Sequence, residues 1–334
     1  MRPLDVSWGG LDNVGLHLVG GSLAFLVAYL LAPLAIRKLR GAGMVGQDRH
    51  KPGRPEVAEM GGLIVFTGFM AGAFAMLMLG QLSDRQDSLV LASLVLGCGA
   101  ALTGVLDDFI ALRQRFKAFL PLAFAIPLAL FVDDTALRLP FLGAADLHWA
   151  YSLVFVPLVI ACASNSYNML EGFNGLGAGM GLVMAAGISL AAWQGGNLTG
   201  LVITVPLGAA LLAFLFYNFY PARVFPGDTM TLFVGAMLAT AGILSKVEFA
   251  TGILFLPFVV EFFVKGLNGF PSAGWGGELG EDGKLRAPVG KRPVGLAQCM
   301  LRLRPATERA LVLRFYAVEA VLAAVGALAL SASP

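Results

Sequence analysis

The stretch NFYPARVFPGDTMTLFVG, residues 218–235, closes one apolar run and opens another. From Thr229 to Ser245 no charged residue interrupts the second run. A helix crossing the hydrocarbon layer needs about 20 mostly apolar residues, so 229–245 reads as a membrane span. Pro226 and Gly227 make a turn at its mouth, and Asp228 stands where an acid suits the N-cap of the coming helix. An acid at that edge also suits a metal ion. Deciding between the two roles requires the rest of the chain.

Of 334 residues, 57% are hydrophobic and 13% charged. Soluble domains carry about 25% charged residues, so this is the composition of a polytopic membrane protein, and nothing in it points to nucleic acid. Ten segments read as spans: 16–36, 61–80, 88–106, 118–132, 150–165, 175–193, 198–217, 229–245, 249–265 and 310–330. The expected fold is an all-α integral membrane protein forming one domain, with a long loop (266–309) before the last helix. Pro121, Pro127 and Pro206 fall inside spans, where they kink helices. The start lacks the pattern of a cleaved secretory signal, so the first span is expected to be retained. Cys98, Cys162 and Cys299 are too scattered for a disulfide framework or a zinc site.

Alternating the connections across the membrane sorts the charges. One side collects 37–60, 107–117, Arg223 and the segment from Lys265 to Arg314. The other holds Arg2, Arg85, Arg138 and Lys246 against Asp5, Asp12, Asp84, Asp87, Asp133, Asp134, Asp146 and Glu248. The positive-inside rule puts the first side in the cytoplasm and both termini outside. On the outer side, 133–149 reads as a hairpin or an amphipathic helix. In the long loop, GEDGKL reads as a turn between short extended pieces.

Polar residues that spans do not need cluster in the cytoplasmic connections. In GVLDDFIALRQRFK, 104–117, Asp107 and Asp108 end an apolar helix where acids oppose the macrodipole, and Lys117 follows. Adjacent positions on a helix point roughly 100° apart, so the two acids are expected to do different work. In NSYNMLEGFNGLGAGMG, 165–181, Asn165 and Asn168 share a helical face and Asn174 sits in a turn. Asp107, Asp108, Asn168 and Asp228 form an oxygen-rich set suited to Mg²⁺ or Mn²⁺ rather than zinc. In GQDRHKPGRPEVAEMGG, 46–62, Lys51 and Arg54 each precede a proline in a stiff turn and are phosphate-binding candidates. Arg223 at the doorway, and Arg286, Lys291 and Arg292 in the long loop, are further substrate-binding candidates. No Walker A pattern occurs, which argues against ATP-driven chemistry. A transporter would place such acids near the midplane, whereas these stand at helix ends.

Taken together, DDFIALRQRFK, NSYNMLEGFNGLGAG and NFYPARVFPGDT resemble the polyprenyl-phosphate N-acetylhexosamine-1-phosphate transferases, glycosyltransferase family 4. The resemblance runs from about 44 to 266 and looks closest to the eukaryotic and archaeal dolichyl-phosphate branch. It implies transfer of a sugar 1-phosphate, N-acetylglucosamine 1-phosphate in that branch, from a UDP-sugar to a polyprenyl or dolichyl phosphate. It further implies release of UMP at the cytoplasmic face of the cell membrane. It also implies Mg²⁺ held by Asp228 and Asn168, Lys117 against phosphate charge, Asn174 near the uridine, and Asp107 and Asp108 as the family's acid pair. Asn165 falls in the same substrate-binding motif. Family members often pair, which leaves a homodimer open. The sequence departs from the family in the long loop. Where relatives carry a basic or histidine-rich motif, this chain reads GFPSAGWGGELGEDG, 269–283, with neither histidine nor arginine. The expected alternative is the same chemistry with another UDP-sugar.

Overall fold

A computed structural model describes residues 13–80, 84–139, 143–271, 274 and 276–331. Arg2, Asp5 and Asp12, the side chains of Asp84 and Arg85, and Ser272, Ala273 and Trp275 lie outside the described residues. The chain is an all-α multi-pass bundle. Its helices are α1 (Asn13–Gly41), α2 (Gly62–Leu79), α3 (Asp84–Ile110), α4 (Gln114–Ala129), α5 (Val156–Leu170), α6 (Leu176–Gly195), α7 (Leu201–Asn218), α8 (Gly227–Leu244), α9 (Glu248–Leu254), α10 (Leu256–Leu267), α11 (Leu296–Leu303) and α12 (Glu308–Ser331). A π-helical turn, Tyr151–Phe155, leads into α5.

Every segment expected to span is helical, but they differ in their capacity to cross. Among the described residues eight helices are long and apolar enough, or nine if α9 and α10 count as one span bent by 55°. The break lies at Phe255, with Pro257 in the first turn of α10, where a missing N–H and a fixed φ are tolerated. The expected fourth span is α4, which has only 16 residues and contains Pro121 and Pro127. The expected fifth begins at the π turn and runs on to Leu170, past the expected end at 165.

The helix opened by the 218–235 stretch is the axis of the bundle. Each residue of α8 from Thr229 to Leu244 is buried, and α2, α3, α5, α6, α7 and α9 all pack on it. A helix apolar on every side has no preferred solvent face and belongs inside. Close packing against α3 depends on Gly104, because a Cβ there would lie 2.4 Å from Thr229 Cα and 2.5 Å from the Asp228 carbonyl carbon.

The connections sort to two ends of the bundle. At one end Gly61 N–H donates to Phe225 O at 2.8 Å, Gly62 N–H to Pro226 O at 2.7 Å, and Lys265 to Met169 O. These contacts join the first loop, the α7–α8 turn, α5 and α10. At the other end Tyr151 donates to Glu248, and Lys246 reaches the Asp134 carbonyl and lies over the Tyr151 ring. The 133–149 segment is a hairpin, β3 (Ala136–Leu139) paired antiparallel with β4 (Gly143–Asp146). Two other two-stranded pieces lie at the first end. β1 (Val45–Gln47) pairs with β2 (Glu56–Ala58) in the first loop. In the long loop β5 (Glu278–Leu279) pairs with β6 (Leu285–Arg286), with GEDGKL as its turn. Glu261 of α10 holds the N-terminus of α11 by accepting from Leu296 N–H at 2.5 Å.

Gly104→Ala is expected to lower the thermal midpoint in detergent, by an amount corresponding to ~1–3 kcal/mol of overpacking against the α8 backbone. A midpoint equal to that of the unmodified protein would contradict the close α3–α8 approach.

Candidate active site

The site grows from the point where the C-terminal end of α3 meets the N-terminal end of α8. The first residues of a helix leave backbone N–H groups without intrahelical partners. Asp108 supplies those partners in α8. Its Oδ1 accepts from Asp228 N–H at 2.7 Å, and its Oδ2 accepts from Thr229 N–H at 3.1 Å and the Thr229 hydroxyl at 2.7 Å. The N-cap expectation for Asp228 is thereby corrected. The cap position is Pro226, without a side-chain capping bond, and Asp228 lies within the first turn. Gly227 has φ +67°, and a Cβ there would press to 2.7 Å from Asp108 Oδ2. The left-handed turn and the close carboxylate both call for glycine.

Relieved of capping, Asp228 faces a cluster. Lys117 Nζ pairs with Asp228 Oδ2 and, at 2.6 Å, with Asp107 Oδ2. Asn168 Nδ2 donates to Asp228 Oδ1 at 2.6 Å and to Thr231 Oγ1 at 2.7 Å. Asp107 also accepts from Leu112 N–H at 2.6 Å, which fastens the α3–α4 turn. Lys117 is only 6% exposed, and two carboxylates answer its charge, as a buried ammonium requires. The two adjacent acids therefore make different contacts. Asp107 faces the ammonium and Asp108 faces the helix terminus, so of the two acids that oppose the α3 dipole, Asp108 meets the positive end of α8.

A second cluster lies where the first loop, the α5–α6 turn and the start of α12 meet. Asn174 N–H donates to Glu308 Oε1 at 2.8 Å, and Asn174 Nδ2 to Asp48 Oδ2 at 3.0 Å. Lys51 pairs with Asp48 and, at 3.4 Å, with Glu308 Oε2. His50 stacks on Phe173, with ring centroids 4.6 Å apart. Asp48, His50 and Glu308 bring ligand atoms within 4.8 Å of one another, but the ammonium of Lys51 already answers the charge of both acids. Burial pushes the His50 imidazole down to about 4, against the upward pull of Asp48 and with Lys51 and Arg49 also lowering it. Next to the turn, Glu171 is pushed up to about 7 by burial, although the Gly172 and Gly177 N–H groups favour its charged form.

Other sequence candidates have partners elsewhere. Asn165 donates to Ala161 O at 2.9 Å within α5. Arg223 donates to Phe216 O at 2.7 Å and lies over the Tyr217 ring. Arg54 is exposed, at φ +44°. Arg286 forms a bidentate pair with Asp282 at 2.7 and 2.8 Å, holding that carboxyl well below its ordinary range, and Lys291 and Arg292 are exposed. Sequence reading assigned no role to Asp48, Glu308 or Thr231. Glu308 in the first turn of a helix looks like ordinary dipole compensation, and its bond to Asn174 spans 134 residues.

Residues 89–246 match the family described as glycosyl transferase family 4. A protein of Saccharolobus solfataricus is 33% identical over 310 residues, covering 91% of this chain and 93% of its own length. Another, from Sulfolobus acidocaldarius, is 31% identical over 314 residues, covering 92% and 95%. Both carry the provisional name UDP-N-acetylglucosamine–dolichyl-phosphate N-acetylglucosaminephosphotransferase. A phospho-N-acetylmuramoyl-pentapeptide-transferase of Desulforudis audaxviator is 33% identical over 275 residues, covering 73% of this chain and 80% of its own length. The chain belongs to glycosyl transferase family 4.

Two outcomes follow from the geometry. Asp108→Ala is expected to cost ~0.5–2 kcal/mol of stability as the α8 terminus loses its acceptors, read by thermal or denaturant unfolding. For His50, the unfolded chain takes up a proton near 6.5, which the folded chain resists until about 4. This group's contribution is complete above the unfolded value and is lost as pH falls toward the folded one. Melting curves from pH 7 down to 4 should slope less for His50→Phe, which keeps a ring on Phe173, than for the unmodified protein. Equal slopes would show that the imidazole is not held neutral.

Proposed function

We propose that this protein transfers a sugar 1-phosphate, N-acetylglucosamine 1-phosphate being the expected group, from a UDP-sugar to a polyprenyl or dolichyl phosphate. The carrying observation is the Lys117–Asp107–Asp228–Asn168 cluster at one end of the bundle, in a chain of this family. A lipid phosphate oxygen attacks the β-phosphorus of the UDP-sugar. The new P–O bond forms as the bond from that phosphorus to the bridging oxygen breaks, and UMP leaves with the bridging oxygen. The attacking group is already an anion, so the protein has little proton transfer to arrange. Its main tasks are to offset charge and align the attack.

The ammonium of Lys117, held by Asp107 and Asp228, is placed to offset phosphate charge. Carboxylates and an amide oxygen are hard donors that suit Mg²⁺ or Mn²⁺, so Asp228 and Asn168 are the residues that would hold the ion. When bound, the ion would neutralise pyrophosphate charge and polarise the phosphorus under attack. Asn168 directs its amide nitrogen to Asp228, so its oxygen remains for a metal ligand. The family resemblance assigns Asn174 to the neighbourhood of the donor's base. The basic connections support a cytoplasmic site at the cell membrane with both termini outside, where a soluble nucleotide meets a phosphate whose tail stays in lipid.

Purified protein in lipid nanodiscs is expected to exchange labelled UMP with UDP-N-acetylglucosamine when polyprenyl phosphate is present, and to stop on chelation of divalent ions. UDP-N-acetylgalactosamine and UDP-glucose are the comparison donors. Asp228→Ala is expected to reduce turnover by at least on the order of 100-fold. Absence of exchange with every donor in folded, lipid-loaded protein would overturn the proposed activity. Full activity after chelation would overturn the metal assignment alone.

A further inference from the structure

Asn168 lies in the last turn of α5, two residues before the helix ends at Leu170. Helix ends fray unless their bare carbonyls find partners, and α10 holds the residues on either side of Asn168. On one side the Tyr167 ring stacks on Phe258, with centroids 4.6 Å apart. On the other, Lys265 Nζ donates to Met169 O, one of the carbonyls left over at the end of α5. A basic side chain there also suits the negative end of the helix dipole. Lys265 pairs in turn with Glu261 Oε1 at 3.0 Å, one turn earlier in α10, and both side chains are buried. The second oxygen, Glu261 Oε2, accepts from Leu296 N–H, where α11 begins. A chain of contacts thus runs from the long loop to the residue after Asn168, whose own amide reaches Asp228 and Thr231.

We propose that Lys265, held by Glu261, is a positioning residue for the metal site. By fastening Met169 O it keeps the last turn of α5 wound and Asn168 aimed at Asp228. The inference rests on the reading that Asp228 and Asn168 hold a divalent ion. Groups that orient a ligand without touching the ion still set how tightly the ion binds. The long loop takes part in the same task, because the Glu261 carboxyl is shared between Lys265 and the start of α11. Removing either member of a buried pair leaves the other without its partner, so a change at Glu261 is felt at Lys265.

Mn²⁺ binding to the full chain in nanodiscs, read by electron paramagnetic resonance of the free ion, tests this without turnover. Asp228→Ala marks which Mn²⁺ is held at the site. Lys265→Met keeps the length of the side chain and removes its donors. Its Kd for the site Mn²⁺ is expected to rise about tenfold, with a matching rise in the Mg²⁺ concentration that half-saturates exchange. Lys265→Arg supplies donors for both Met169 O and Glu261 and should recover most of the affinity. Glu261→Gln keeps an oxygen for Leu296 N–H but loosens the hold on Lys265, and is expected to raise the Kd by less. A pair that served packing alone would lower the thermal midpoint and leave the Kd of the folded variants unchanged, and that result overturns the proposal. If Lys265→Met does not fold, an unchanged Kd in Glu261→Gln overturns it alone. If Asp228→Ala releases no Mn²⁺, the metal reading falls and the proposal with it. Absence of exchange beside intact Mn²⁺ binding would instead overturn the parent activity.

Discussion

The first-turn N–H groups of α8 sit at the edge of an apolar bundle, and the carboxylate of Asp108 satisfies them. The rest of the site depends on that contact. An unpaired backbone donor in a nonpolar setting is costly, and a side chain from within α8 could have met the need. Because α3 meets it instead, Asp228 is left to face Lys117 and Asn168. The same contact draws α3 against α8 closely enough that only glycine fits at 104. It also fixes the direction in which Asp107 points, one residue along the same helix.

Around this junction the bundle concentrates charge where membrane proteins tolerate it, at the ends of spans rather than at mid-depth. Two ammonium groups organise two clusters, buried Lys117 between Asp107 and Asp228, and half-buried Lys51 between Asp48 and Glu308. In each, one cation faces two acids, so each cluster keeps capacity for further positive charge or for hydrogen-bond donors. Such an arrangement suits a reaction between two anionic phosphates, in which the protein must hold like charges together without strong acid–base chemistry. The basic residues of the long loop are exposed or paired locally, as Arg286 is with Asp282.

Much of this was legible in the chain itself. Uninterrupted apolar runs long enough to cross a bilayer mark helices, because no other open structure satisfies its backbone in lipid. Family membership was readable from three ordered motifs, and the β5–β6 turn from GEDGKL. That Asp107 and Asp108 meet different partners followed from the helical repeat. The shortness of α4 was legible too, since its expected range and its two prolines already marked it, whereas the break at Phe255 divides an apolar run without changing its composition. Asn165 and Asn168 looked equivalent by spacing, yet Asn165 bonds back to Ala161 and Asn168 reaches Asp228.

The sequence by itself determined the all-helical membrane class, the ends of the spans at which polar residues gather, and the reaction family, because hydropathy and motif spacing are local properties of the chain. Only the tertiary structure decided which acid does what. Asp228 had every local mark of a helix cap, but capping goes to whichever carboxylate lies nearest the bare N–H groups, and Asp108 arrives there from 120 residues away. Glu308 likewise looked like an ordinary first-turn acid until folding set it against Asn174. Hydrogen bonds depend on distances of about 3 Å in space, and across a bundle this size those distances are set by helix packing.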